Sequence, residues 1–256
     1  MVAKIFRPFG ATDTLCVVDE GFIKLGGSAQ GVAASLRLYR RSGDLAHVER
    51  AVRLARFIVL QRRPDGDFDH ILIPGPIAKQ HPTRADLFTG QALFALALLS
   101  EPTGDPSWRK LALDSMDQLA KRDFAIGTQA HWMLYALEVL LRFHQDQQLL
   151  DYATRLIAAM VADEAVRESS ESTPLACQTE ALVVYARILR TSPDGERDAA
   201  ASTVARIQQN LRRQLRFYHP SGAFLHSIEK PEVRIDYIMH NVIGFLGYAR
   251  LAAHGE

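Results

Sequence analysis

The sequence predicts an all-α fold, an (α/α) toroid of about five helical hairpins behind a small N-terminal β-hairpin. Three observations predict it. After about residue 25, two kinds of segment alternate, one rich in Ala, Leu and small residues, the other amphipathic and more charged. The first kind recurs every 45–60 residues or so, a spacing that fits stacked or closed helix pairs. The joints carry turn chemistry, as in RRSGD at 40–44 and TGDPSW at 103–108.

The elements follow in order. Residues 15–24, LCVVDEGFIK, read as two strands around a turn at Asp19, Glu20 and Gly21. The small-residue helices are 27–41, 86–99, 130–143, 174–190 and 236–252. Apolar on most sides, they are assigned to an inner ring. The amphipathic helices are 45–62, 106–122, 147–161 and 197–215, and form the outer ring. In the first of these, Val48, Ala51, Val52, Ala55 and Ile58 recur at helical spacing. Asp44 is placed to cap that helix, and Pro106 suits the first turn of the next outer one. Residues 223–227, AFLHS, follow the turn HPSG as a short strand, and the polar stretch 163–173 is read as a loop. No linker or low-complexity tract divides the chain, so one domain is expected over 1–256, with 1–25 as its strand segment. A superhelical helix-pair array is the competing architecture; its helices would be more equally buried.

Composition narrows the function classes. The chain has 256 residues, with 30 Lys+Arg against 29 Asp+Glu and a net charge of +1. No global field recruits nucleic acid or an anionic membrane. Hydrophobic residues make up 48%, too many for a disordered chain. Apolar runs such as 95–99 fall far short of the roughly 20 residues that span a bilayer. The start MVAKIFRPFG has no apolar leader core, and two cysteines, Cys16 and Cys177, make no disulfide framework. A cytoplasmic protein is expected.

Candidate chemistry lies where polar groups interrupt the inner helices. Gly26, Gly27, Ser28, Gln30 and Gly31 open the first, with Gln30 as the pointing residue and close helix packing as the alternative. Asp65, Asp67 and Asp69 alternate like a calcium loop, but His70 stands where such a loop needs glycine. That leaves Asp69 and His70 as cavity candidates beside a plain turn. Arg84, Asp86 and Gln91 open the second inner helix, Asp86 being equally a cap. His131 and Trp132 open the third as a proton-transfer group beside a sugar-stacking ring. Glu180 sits inside an otherwise apolar helix, where burial raises a carboxyl's pKa unless a partner such as Arg234 offsets it. The densest cluster opens the last inner helix: Arg234, Asp236, Tyr237, His240 and Asn241. The catalytic candidates are therefore Tyr237, His240, Glu180 and His131. The substrate-binding candidates are Gln30, Asp69, Arg84, Asp86, Trp132, Arg234, Asp236 and Asn241. The nine histidines show no HExxH and no His/Cys pair at ligand spacing, and GxSxG is absent, so no metal and no cofactor is expected.

Two segments resemble a known family. KLGGSAQGVAASLRLYRRSGD at 24–44 resembles the AQG helix start, and VRIDYIMHNVIGFL at 233–246 the RxDYxxH segment, of the C-terminal helical domain of heparosan glucuronyl C5-epimerases. Together they cover about 35 residues. The central region of that family finds no match here, nor do its large β-rich domains. The resemblance implies an (α/α) domain with a cleft for an acidic sugar. It makes Tyr237 a proton-transfer group, with Arg234 and His240 beside it. The leading expectation is a carbohydrate enzyme, epimerase-like, using acid–base chemistry on an oligosaccharide or small sugar. A hydrolase or lyase on the same fold is the near alternative. A non-catalytic scaffold that binds a partner on a concave surface, and a toroid that modifies a peptide or lipid, compete from other classes. An incompletely closed ring is compatible with a homodimer.

Overall fold

A computed structural model describes residues 5–10, 13–75, 77–192 and 197–253. The first four residues of the N-terminal decapeptide lie outside that set. Contacts group the chain into two compact units, Met1–Phe124 and Ala125–Glu256. No helix among the described residues is long and apolar enough to cross a membrane.

The first unit holds a five-stranded antiparallel sheet, in the order β1 (Phe6–Pro8), β2 (Leu15–Asp19), β3 (Phe22–Lys24), β4 (Ile71–Ile73) and β5 (Lys79–Gln80). The β2–β3 hairpin turns at Glu20 and Gly21, with φ of 50° and 81°. Two successive positive φ values match the right-handed twist of the strands they join. The predicted hairpin is thus present, inside a wider sheet. The strands β1, β4 and β5 are two or three residues long, too short to show alternation in sequence.

Helix α1 (Leu25–Ser42) follows β3 directly, and α2 (Ala46–Leu60) returns beside it. Asp44 accepts a hydrogen bond from the Ala46 N–H at 2.9 Å, as a capping residue should. Of the expected stripe, Val48, Ala51, Ala55 and Ile58 are buried in α2, joined by Leu54 and Phe57, while Val52 is half-buried at its edge. The glycines opening α1 are packing joints. A Cβ on Gly26 would strike the Phe88 and Gln91 side chains, and one on Gly31 would lie 2.9 Å from Leu54. The Ser28 Oγ accepts from the Val17 N–H at 3.0 Å and ties β2 to α1. Helices α3 (Leu87–Thr103) and α4 (Ser107–Ala120) complete the unit, and α3 is buried on almost every side, as an inner helix should be.

The second unit is built on α8 (Ser172–Thr191), buried from Leu175 through Ala186. Around it pack α5 (His131–Leu141), α6 (Gln147–Ala162), α9 (Arg197–Gln214) and α10 (Ile235–Ala253). The stretch read as a loop at 163–173 contains a one-turn helix, α7 (Glu164–Glu168), because Asp163 caps it through the Ala165 N–H at 2.9 Å. The segment 223–227 makes only isolated bridges, Tyr218 with Phe224 and Glu171 with Ser227. It serves instead to hold the start of α8, where the Ser172 hydroxyl donates to the Leu225 carbonyl at 2.6 Å.

Helix α10 departs from the expected inner pattern. Its buried residues are Tyr237, Asn241, Gly244, Gly247 and Leu251, a single stripe, while Ile235, Met239, Val242 and Leu246 are exposed. The stripe is narrow because two glycines let the helix seat closely on α8: a Cβ on Gly247 would lie 2.6 Å from a Val183 methyl.

Candidate functional site

The second unit gathers the polar groups that interrupt its helices. Cys177 and Glu180 stand three apart on α8, hence on one face. His131 stands at the start of α5, with Trp132 next to it and Tyr135 one turn on. His240 comes from the first turns of α10. Since α8 packs on both α5 and α10, these side chains meet.

Glu180 is 2% exposed. His240 Nδ1 lies 2.8 Å from its Oε1, and the Tyr135 hydroxyl donates to its Oε2 at 3.2 Å. Burial raises the Glu180 pKa; the bonds from His240 and Tyr135 oppose that rise without cancelling it. With Glu180 ionised, His240 Nδ1 carries the proton it shares and Nε2 is left with a lone pair. The Tyr135 phenol is pushed well above its ordinary range, by burial first and then by the Glu180 charge, so it remains a donor. The His240 side chain keeps 12% exposure, whereas that of Glu180 has 1%. The imidazole is therefore the group of the pair that reaches solvent.

His131 is completely buried, and neither ring nitrogen meets strict hydrogen-bond geometry with any of the described residues. Burial, and then electrostatic repulsion from the neighbouring His240 ring, push its pKa down to about 3, with the hydrogen bond to the Gln129 backbone opposing. It is a neutral imidazole at ordinary pH. Its ring centroid lies 5.4 Å from that of His240 and 5.5 Å from that of Trp132, which in turn lies 5.3 Å from Tyr135. The Cys177 thiol is raised well above its usual value by burial and by the carboxylates of Glu180 and Asp236. One ligand atom from each of His131, Cys177 and His240 lies within 4.8 Å of the others.

The remaining candidates distribute as follows. Tyr237 is 7% exposed; its ring packs 5.0 Å from His226, and the Arg234 guanidinium sits 5.0 Å over it. Arg234 pairs with Asp236 at 2.9 Å on the surface, rather than with Glu180. Asn241 is fully buried and donates to the Tyr237 carbonyl at 2.8 Å, which holds the first turns of α10. In the first unit, Gln30 is exposed on α1 and Asp86 is exposed at the start of α3 without a side-chain cap bond. Asp69 is half-buried, and its backbone N–H bonds the Gln61 carbonyl at 2.9 Å. Its neighbour Asp67 holds the buried position instead. Asp67 accepts from Arg63 at 2.8 Å and from Arg84, and it receives the Thr89 hydroxyl. His70 lies against it and bonds Thr89 at 2.9 Å. Burial opposes the charge on Asp67, but the bonds from His70, Thr89 and Arg84 prevail and hold its carboxyl far below the usual range.

Tyr135 and Cys177 were not among the sequence candidates. Both carried a local signal: Tyr135 stands four residues after His131, and Cys177 three before Glu180, each on the same helical face. The His/Cys proximity carried none, because its members come from three helices.

No known family profile matches the chain, and no curated protein matches it in sequence. Solved structures do match in fold. A GH76 alpha-mannanase of Bacteroides thetaiotaomicron is similar over 98% of this chain and 78% of its own, with a TM-score of 0.68 at 8% identity. An unsaturated glucuronyl hydrolase specific for heparin is similar over 90% and 76%, with a TM-score of 0.61 at 12% identity. The unsaturated glucuronyl hydrolase of Streptococcus agalactiae is similar over 89% and 69%, with a TM-score of 0.62 at 13% identity. These likenesses show the fold, an α/α toroid with a small antiparallel sheet near its N-terminus.

Proposed function

We propose that this chain is a carbohydrate-active enzyme of the α/α-toroid type, acting by acid–base chemistry on an oligosaccharide with an acidic sugar. The observation that carries the reading is the Glu180–His240 pair, a buried carboxyl of α8 bonded to a half-buried imidazole in the first turns of α10. His240 is the proton-transfer group. Glu180 fixes its tautomer and stabilises the imidazolium that forms, and Tyr135 holds the second oxygen of Glu180. Trp132 offers a ring beside the site on which a sugar face can stack. A fold shared with glucuronyl hydrolases supports the acidic sugar as substrate, and the resemblance of 233–246 to the epimerase segment supports the same class.

The structural likeness to two groups of hydrolases favours a second reading of the outcome, glycoside cleavage in place of epimerisation. One assay separates them. Saturated and unsaturated uronate oligosaccharides and manno-oligosaccharides are incubated with the chain in deuterated water. New reducing ends report cleavage, and deuterium at C5 without cleavage reports epimerisation. His240→Ala and Glu180→Gln should each lower turnover by about 10²–10⁴-fold with the circular dichroism unchanged. Full turnover in both variants, or no turnover of any sugar by the wild-type chain, would reject the proposal.

A further inference from the structure

The same cluster has the donor set of a metal site. His131 is the decisive residue. A fully buried imidazole whose N–H faces only the Gln129 backbone, and whose other nitrogen meets no donor among the described residues, leaves a ring lone pair without compensation, which native cores rarely tolerate. A cation would use that lone pair. The other two groups are suited to the same ion. Glu180 occupies His240 Nδ1, so the nitrogen of His240 open to a further partner is Nε2. The Cys177 sulfur completes the trio, and one donor atom of each lies within 4.8 Å of the others. A tetrahedral zinc ion separates its nitrogen and sulfur ligands by about 3.3–3.6 Å, given bonds of about 2.0–2.3 Å. The donors therefore need to close by about 1 Å, a movement within side-chain adjustment.

We propose that His131, Cys177 and His240 form a three-ligand site for Zn²⁺ or a metal of like softness, with Glu180 as the carboxylate that orients His240. Two imidazoles and a thiolate suit zinc or cobalt, and not the hard ions calcium and magnesium. The Glu180–His240 bond is the arrangement that fixes ring orientation behind a ligating histidine. Binding releases the Cys177 proton, since the ligand is the thiolate. Three protein ligands would leave a fourth position for a water molecule. The inference deepens the site proposed above: a metal-bound water would take over the proton-accepting role that His240 Nε2 has in the free protein.

The test uses the full chain, stripped with a chelator and titrated with Co²⁺, then with Zn²⁺ in competition. The expected result is one tightly bound cobalt per chain with a thiolate-to-cobalt charge-transfer band in the near ultraviolet. Cys177→Ser should abolish that band. Glu180→Gln should weaken zinc affinity about 10–100-fold. His144→Ala, at a half-exposed histidine outside the cluster, should change neither. If Cys177→Ser fails to fold, the wild-type spectrum decides alone. A folded wild-type chain that takes up no stoichiometric cobalt, or that binds it without the thiolate band, overturns the site. Metal uptake is read without any sugar: binding with no glycan turnover sinks the carbohydrate reading alone, and turnover by a chain that takes no metal sinks the metal alone.

Discussion

Asp67→Asn tests the electrostatics of the first unit. Asp67 is 1% exposed and anchors a network joining β4's approach, Arg84 and α3. Its oxygens accept from Arg63 at 2.8 Å, from Arg84, from the Thr89 hydroxyl and from the Phe68 N–H at 2.8 Å. Removing one partner of a fully buried ion pair costs about 3–5 kcal/mol. Here the guanidinium groups keep 30% and 40% of their side-chain exposure and regain water when the charge is lost. Asparagine also retains the shape and one acceptor. These facts reduce the expectation to about 2–3 kcal/mol. At about 2–4 °C per kcal/mol for a chain of this size, the loss in Tm is roughly 4–12 °C at pH 7. The pH dependence has a definite sign. Because the folded pKa of Asp67 is depressed, its stabilisation is complete above the unfolded value of about 3.9 and is lost as pH falls below it. Calorimetry from pH 7 down to pH 3 should show the gap between wild type and Asp67→Asn narrowing below about pH 4. Equal Tm values at pH 7, or parallel curves across that range, would refute the account.

Three further predictions concern the second unit. Gly247→Ala places a Cβ 2.6 Å from a Val183 methyl and should cost about 1–3 kcal/mol; Val183→Ala should recover part of it in a double-mutant cycle, and additive losses would refute the contact. Glu138, 7% exposed, accepts two bonds from Arg187 at 2.8 Å, so Glu138→Ala should destabilise by about 2–3 kcal/mol in urea titration. An unchanged midpoint would show that Arg187 finds water without cost. Zinc at 100 times its dissociation constant should stabilise the chain by about 2.7 kcal/mol, seen as a raised Tm that Cys177→Ser lacks. A shift of equal size in both proteins would place the ion elsewhere.

Helix positions were legible because burial imprints a 3.6-residue period on each segment. All nine expected helices occur, within a few residues of their expected bounds. Capping residues added the ends: Asp44 and the glycines at 43 and 104, whose φ of 71° and 67° only glycine adopts freely, were visible as local chemistry. Glu180 was legible for a related reason, as a charge set among residues that otherwise avoid water.

Pairing between segments was decided by the tertiary structure. Nothing local distinguishes Asp67 from Asp69, since the choice depends on Arg84 and Thr89 arriving from the next segment. Arg234, free to pair with either carboxylate in sequence, takes the one two residues away because it lies on the surface. Helix α10 resembles an inner helix in composition, yet its two glycines bring one stripe against α8 and leave an apolar face outside. His131, Cys177 and His240 carry no common motif and become a set only where α5, α8 and α10 pack. Periodicity is a property of one helix and its solvent, so one segment encodes it. A site assembled across helices depends on which faces meet, and that is settled only when the helices have packed.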